Sequence, residues 1–111
     1  MAQDLSTSAI SFKSDEESVA GYLARPSSGG PHPGLIVLQE WWGLDGHIKD
    51  LTDRFAREGY AALAVDMYSF AGNKVTLDAD EAAKLMESLR HDTAMSYLNA
   101  GVNYLASADF A

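Results

Sequence analysis

The residues best suited to chemistry are Gln39-Glu40-Trp41-Trp42-Gly43 and Asp66-Met67-Tyr68. Each group follows a short apolar run, Leu35-Ile36-Val37-Leu38 in one case and Ala61-Ala62-Leu63-Ala64-Val65 in the other. In an open α/β sheet, ligands gather where parallel strands end, so both groups are expected at a site. Glu40 offers a carboxylate, and Trp41 and Trp42 offer indoles that can wall it off from water. The alternatives are plain: a Trp pair also serves core packing, and Glu40 could simply face the positive end of a following helix. Tyr68 either lines a pocket or bridges core and solvent. Asp66 is expected to anchor its own loop through turn contacts.

The elements that must position these groups are legible from periodicity. Ile10-Ser11-Phe12 and Val19-Ala20-Gly21-Tyr22-Leu23, separated by Ser14-Asp15-Glu16-Glu17-Ser18, predict a β-hairpin. Pro26 through Gly34 is a cluster of backbone breakers and therefore a loop. The run Leu35–Leu38 predicts a central strand covered on both faces. Ile48, Leu51 and Phe55 fall at helical spacing, with Asp45 as N-cap and Gly59 just past the end, so a helix is expected from His47 to Glu58. With the strand Ala61–Val65 this makes a right-handed βαβ unit. Asp78-Ala79-Asp80-Glu81 resembles a capping box, followed by Ala82, Leu85, Met86 and Leu89 on one face. A third helix is expected from a cap at Asp92, with Ala94, Leu98, Val102 and Leu105 on its core face.

Composition sets the outer limits. The 111 residues are 47% hydrophobic and 22% charged, the balance of an ordinary globular chain, and one small domain over residues 1–111 is expected. A net charge of −8 with eight scattered Lys and Arg argues against a nucleic-acid partner. No apolar stretch is long enough to span a bilayer, and Met1-Ala2-Gln3-Asp4 lacks the features of a secretory signal. A cytoplasmic location without a membrane partner is the default expectation. With no cysteine there is no thiolate metal site, and His32, His47 and His91 sit in no metal-ligand spacing. Neither a metal nor a cofactor is expected.

The stretch from Leu35 through Asp50, together with Asp53-Arg54, Glu58-Gly59-Tyr60 and Asp66-Met67-Tyr68, resembles the dienelactone hydrolase (carboxymethylenebutenolidase) family. The resemblance runs from about Gly21 to Leu105 and covers the N-terminal half of a family member. It implies an α/β class and a partial α/β-hydrolase fold: an N-terminal β-hairpin, then a βαβ unit and two further helices. It also implies a Cys or Ser nucleophile on a Gly-x-Cys-x-Gly or Gly-x-Ser-x-Gly elbow, followed by Asp and His. Neither elbow motif occurs here, and His47 and His91 are poorly placed to be the base.

What the resemblance assigns to this chain is accessory. Glu40 matches the family's carboxylate facing the nucleophile, and the Trp41 N–H matches one oxyanion-hole donor. Trp42 and Tyr68 are the candidate substrate-binding residues. Lys74 and Arg90 align with no carboxylate-binding arginine of the family and read as surface cations. The implied reaction is hydrolysis of a small ester or lactone without metal. The chain alone is expected to be inactive, needing a C-terminal half or a second chain to complete sheet and site, and to form a homo-oligomer if expressed by itself. The alternative is a non-catalytic binding or assembly module built on the same elements.

Overall fold

The computed structural model describes residues 4–111; residues 1–3, read above for a secretory signal, lie outside the described residues. The chain runs through β1 (Leu5–Ser14), β2 (Glu17–Pro26), β3 (Gly34–Val37), α1 (Gly46–Arg57), β4 (Ala61–Val65), a 3-10 turn at Ser69–Ala71, α2 (Ala79–Ser88) and α3 (His91–Ser107). The strands form one sheet in the order β1-β2-β4-β3. β1 pairs antiparallel with β2, β2 antiparallel with β4, and β3 parallel with β4.

The hairpin is longer than its apolar residues suggested, because the polar residues on either side of the turn are themselves paired, Ser14 with Glu17 and Lys13 with Ser18. Asp15 turns the chain at φ 54°, a left-handed conformation that Asp tolerates better than most residues.

β4 is buried along its whole length and separates two apolar layers. Leu63 and Val65 pack with Val19, Leu23, Tyr97 and Leu105 on the α3 face. Ala62 and Ala64 pack with Val37, Leu44 and Ile48 on the α1 face. The alternation follows from strand geometry, in which successive side chains point to opposite faces.

Small residues let the layers close. On α1 the buried positions are Ile48, Thr52 and Ala56. Thr52 is tolerated there because its hydroxyl donates to the Ile48 carbonyl at 2.7 Å. Phe55, expected on this face, is instead 37% exposed and stacks edge-on against Tyr60. The α1 cap is as expected: Asp45 Oδ1 accepts from the Ile48 N–H at 3.1 Å, and Gly59 takes φ 104° past the end.

α3 corrects the sequence reading twice. Its N-cap is Arg90, without a side-chain cap bond, and Asp92 lies in the first turn. Its buried face is Tyr97, Gly101 and Leu105, whereas Val102 is half-exposed. The cause is Gly101. A Cβ there would stand 2.8 Å from Val65 Cγ2, so the helix turns its residue without a side chain onto the sheet. α2 packs more lightly, through Ala82 alone among its fully buried residues. Asp78 caps it by accepting from the Asp80 N–H, while Glu81 reaches Lys74 at 3.4 Å.

β3 ends at Val37, and Leu38 lies beyond it, 60% exposed. Ile36 packs toward α3 and Val37 toward α1, so both faces are covered. The strand is not central among the described residues, however: it is the last of the four, and its far edge carries no strand. No helix among the described residues is long and apolar enough to cross a membrane.

Candidate functional site

The two candidate segments meet, because parallel strands β3 and β4 end side by side. Three hydrogen bonds fix the loop after β3 to its surroundings. Gln39 Oε1 accepts from the Met67 N–H at 3.0 Å, the Tyr68 hydroxyl donates to the Trp41 carbonyl at 2.9 Å, and the Thr76 N–H donates to the Trp42 carbonyl at 3.0 Å. Within the loop, the Gly43 N–H donates to the Glu40 carbonyl at 3.1 Å, closing a tight turn.

Gly43 is required there. Its φ is 100°, and a Cβ would stand 2.3 Å from the Lys74 carbonyl oxygen. Any side chain would push the 74–76 segment away and break the Thr76 to Trp42 bond.

This arrangement leaves specific groups available. The Glu40 side chain is exposed, with Oε1 3.7 Å from His47 Nε2. It does not cap α1, a position Asp45 fills. The Trp41 and Trp42 rings meet edge to face with centroids 5.4 Å apart. Trp41 is 37% exposed and Trp42 half-buried, so the pair neither enters the core nor stands free. The Trp41 N–H has no protein acceptor among the described residues, although the carbonyls of both tryptophans are engaged.

Tyr68 is fully buried, and its ring acts from below the loop. Burial pushes its phenol above the ordinary tyrosine range, which keeps it protonated as a donor to Trp41. Asp66 anchors its turn as expected, Oδ1 accepting from the Tyr68 N–H at 3.0 Å. Burial is the main cause raising its carboxyl above the usual range, partly offset by that bond and by Lys49.

The remaining candidates lie apart. Lys74 pairs with Glu81 at 3.4 Å and Arg90 with Asp92 at 3.2 Å, both on the surface. His32 lies 3.2 Å from the Ser28 carbonyl oxygen, and His91 opens α3. Among the described residues, no three His, Cys, Asp or Glu side chains are grouped to hold a metal ion.

Sequence reading placed Gln39 in the candidate segment without giving it a role, and it missed Thr76; both hold the loop from its flanks. A polar residue directly after an apolar strand was the available signal for Gln39. Thr76 gave none, since its contact depends on how the 74–76 segment returns.

Residues 19–110 match the sequence profile described as the dienelactone hydrolase family. The chain is 39% identical over 102 residues to protein usf of Aquifex pyrophilus, covering 86% of this chain and 42% of that protein. It is 34% identical over 104 residues to a protein of Aquifex aeolicus provisionally named carboxymethylenebutenolidase, with the same two shares of 86% and 42%. Its backbone superposes with a TM-score of 0.84 and 31% identity on the crystal structure of a protein of Klebsiella pneumoniae provisionally described as a dienelactone hydrolase, over 93% of this chain and 44% of that one. The chain thus spans about two fifths of the length of these three proteins, and its sheet is part of the α/β-hydrolase fold. By sequence profile and backbone alike, this chain belongs to the dienelactone hydrolase family.

Proposed function

We propose that the chain supplies one side of the active site of a hydrolase for small esters or lactones, in the cytoplasm. The Trp41 N–H gives one of two oxyanion-hole donors, Glu40 sets the ionisation of the nucleophile, and Trp42 walls the substrate. Tyr68 serves the pocket from beneath through its bond to the Trp41 carbonyl. The nucleophile, a second donor, an Asp and a His come from another segment, carried by the same polypeptide or by a second one.

The observation that carries this reading is the held loop. Two carbonyls are tied down and one amide is left free, at the end of a parallel strand, in a chain of this family. A donor aimed and fixed before the reaction costs no reorganisation, which is where oxyanion stabilisation gains its size.

The open edge of β3 favours a second reading, an assembly module. Ile36 and Val102 line an apolar groove of about 260 Å³ beside that edge, and unpaired strand edges recruit partners. In this reading the isolated chain self-associates.

The test is reconstitution. The chain is mixed or fused with the C-terminal portion of a family member carrying the nucleophile, and hydrolysis of p-nitrophenyl acetate and of a small lactone is followed. Activity from the combination but not from either part supports the hydrolase reading. Removing the carboxylate by Glu40→Gln is expected to lower the rate on the order of a hundredfold, the scale on which such polar groups act in catalysis. An unchanged rate sinks the role given to Glu40. Sedimentation of the isolated chain as a clean monomer sinks the assembly reading.

A further inference from the structure

Behind the loop that carries Trp41, on the side facing the hairpin, lies a cleft of about 250 Å³. Its walls include Ile10, Leu44 and Val75, and its polar groups come from Lys49, Asp66 and Asn73. It shares no residue with the Glu40–Gly43 segment.

Asp66 is 4% exposed, and only its Oδ1 has a hydrogen-bond partner among the described residues, the Tyr68 N–H. No sealed side-chain polar atom among those residues goes unpaired, so Oδ2 keeps some access to solvent, and the cleft is the cavity that Asp66 lines. A carboxylate oxygen on a side chain this buried, facing a cavity, is an acceptor awaiting a donor.

Lys49 supplies the complementary group. It stands in no ion pair among the described residues, and its ammonium lies 5.8 Å from the centre of the Tyr22 ring, which also lines the cleft. Asn73, at φ 59°, brings an amide to the same space. One acceptor, one free cation and an amide among apolar walls form the composition of a small-ligand pocket.

We propose that this cleft binds a small, largely apolar molecule carrying a carboxylate and a hydrogen-bond donor, either hydroxyl or ammonium. The carboxylate meets Lys49, the donor meets Asp66 Oδ2, and the hydrocarbon lies against Ile10, Leu44 and Val75. The ligand would touch Leu44 and Val75, the neighbours of Gly43 and Thr76, which set the loop on its other side. The site does not depend on the hydrolase reading, and its test needs no turnover.

The experiment is an amide-resolved NMR titration of the whole chain with four molecules of one shape: 2-hydroxy-3-methylbutyrate, valine, 3-methylbutyrate and isobutanol. The hydroxy acid, the amino acid or both are expected to give saturable shifts centred on Leu44, Asp66 and Asn73, and to bind more tightly than 3-methylbutyrate. Which of the two binds identifies the donor. Isobutanol binds weakest. Lys49→Gln, a change at an exposed position, is expected to weaken the carboxylates about tenfold, the worth of one charged hydrogen bond. Asp66→Asn keeps the Tyr68 bond but turns a donor toward the cleft, so valine, whose ammonium cannot accept, loses its advantage over 3-methylbutyrate, whereas the hydroxy acid, whose hydroxyl can accept from the new amide, keeps part of its own. Shifts that do not saturate, that centre on Glu40–Trp42, or that are unchanged by Lys49→Gln overturn the proposal.

Discussion

The phenol of Tyr68 donates to the backbone carbonyl of Trp41, 27 residues earlier in the chain. The bond fixes the peptide on the far side of Trp41 from its free amide. The loop backbone at Trp41 is thus held by a buried side chain at the end of the neighbouring strand. Tyr68→Phe keeps the ring and removes only this link. It is expected to cost about 1–2 kcal/mol in urea unfolding, since the Trp41 carbonyl loses its partner. In the reconstituted enzyme kcat should fall more than KM changes, because the donor matters most as charge develops on the oxygen. A change in KM alone would show that Tyr68 acts in binding.

Gly43 and Gly59 share a positive φ, 100° and 104°, but only Gly43 faces a backbone atom at 2.3 Å. Gly59→Ala carries the conformational cost alone, about 1–2 kcal/mol. Gly43→Ala adds a clash with a carbonyl that cannot step aside, and is expected to lose about 3 kcal/mol or more. Thermal unfolding of the two variants side by side tests this, and equal losses would show that the Lys74 contact is relieved cheaply.

Gly101 sets how closely α3 sits on the sheet. Gly101→Ala gains about 1 kcal/mol of helix propensity but crowds Val65 at a cost of about 1–3 kcal/mol. A net loss is expected, and Val65→Ala should relieve part of it. Strictly additive losses in the double mutant would mean that the two side chains do not meet.

Asp66 gives stability a pH dependence of definite sign. Its folded carboxyl titrates above the ordinary value of 3.8 because burial disfavours the charge. Below that ordinary value the group is protonated whether folded or not, and contributes nothing. As pH rises through the folded value the buried carboxylate ionises and stability is lost. Asp66→Asn removes the penalty and keeps the bond to Tyr68, so it should raise the urea midpoint at pH 7 and raise it less at pH 4. An equal gain at both pH values would assign the effect to something other than ionisation.

What the sequence disclosed was local. Asp45 and Gly59 bracket α1 as read, because a cap depends on residues within one turn. The strand ends that carry Glu40 and Asp66 were legible for a similar reason: a buried strand needs an unbroken apolar run, and both runs stop there. Contacts between distant residues were not legible. Nothing in the spacing of Ala94, Leu98 and Val102 reveals that Gly101 must face Val65 and so carry Val102 outward. Asp92 read as a cap because capping residues are a local signal, yet the cap position falls two residues earlier, at Arg90, without a side-chain bond. The bonds from Gln39, Tyr68 and Thr76 that give the site its shape join segments whose separation no periodicity encodes.

The strand order β1-β2-β4-β3 has a kinetic consequence. The hairpin closes over a two-residue turn, and β3, α1 and β4 close over one helix, so each piece can form by short-range contacts. In the sheet they are joined along β2 and β4, from Gly21 opposite Val65 to Ala24 opposite Ala62, and α1 reinforces the joint where the Tyr22 hydroxyl donates to Asp53 at 2.7 Å. That seam is the long-range step. A truncation within it, Leu23→Ala, should cost about 2–5 kcal/mol yet speed unfolding far more than it slows folding, if the two pieces fuse after the barrier. The sheet would then assemble from two prefabricated pieces that zip together last, and the joint between them would be the first to open.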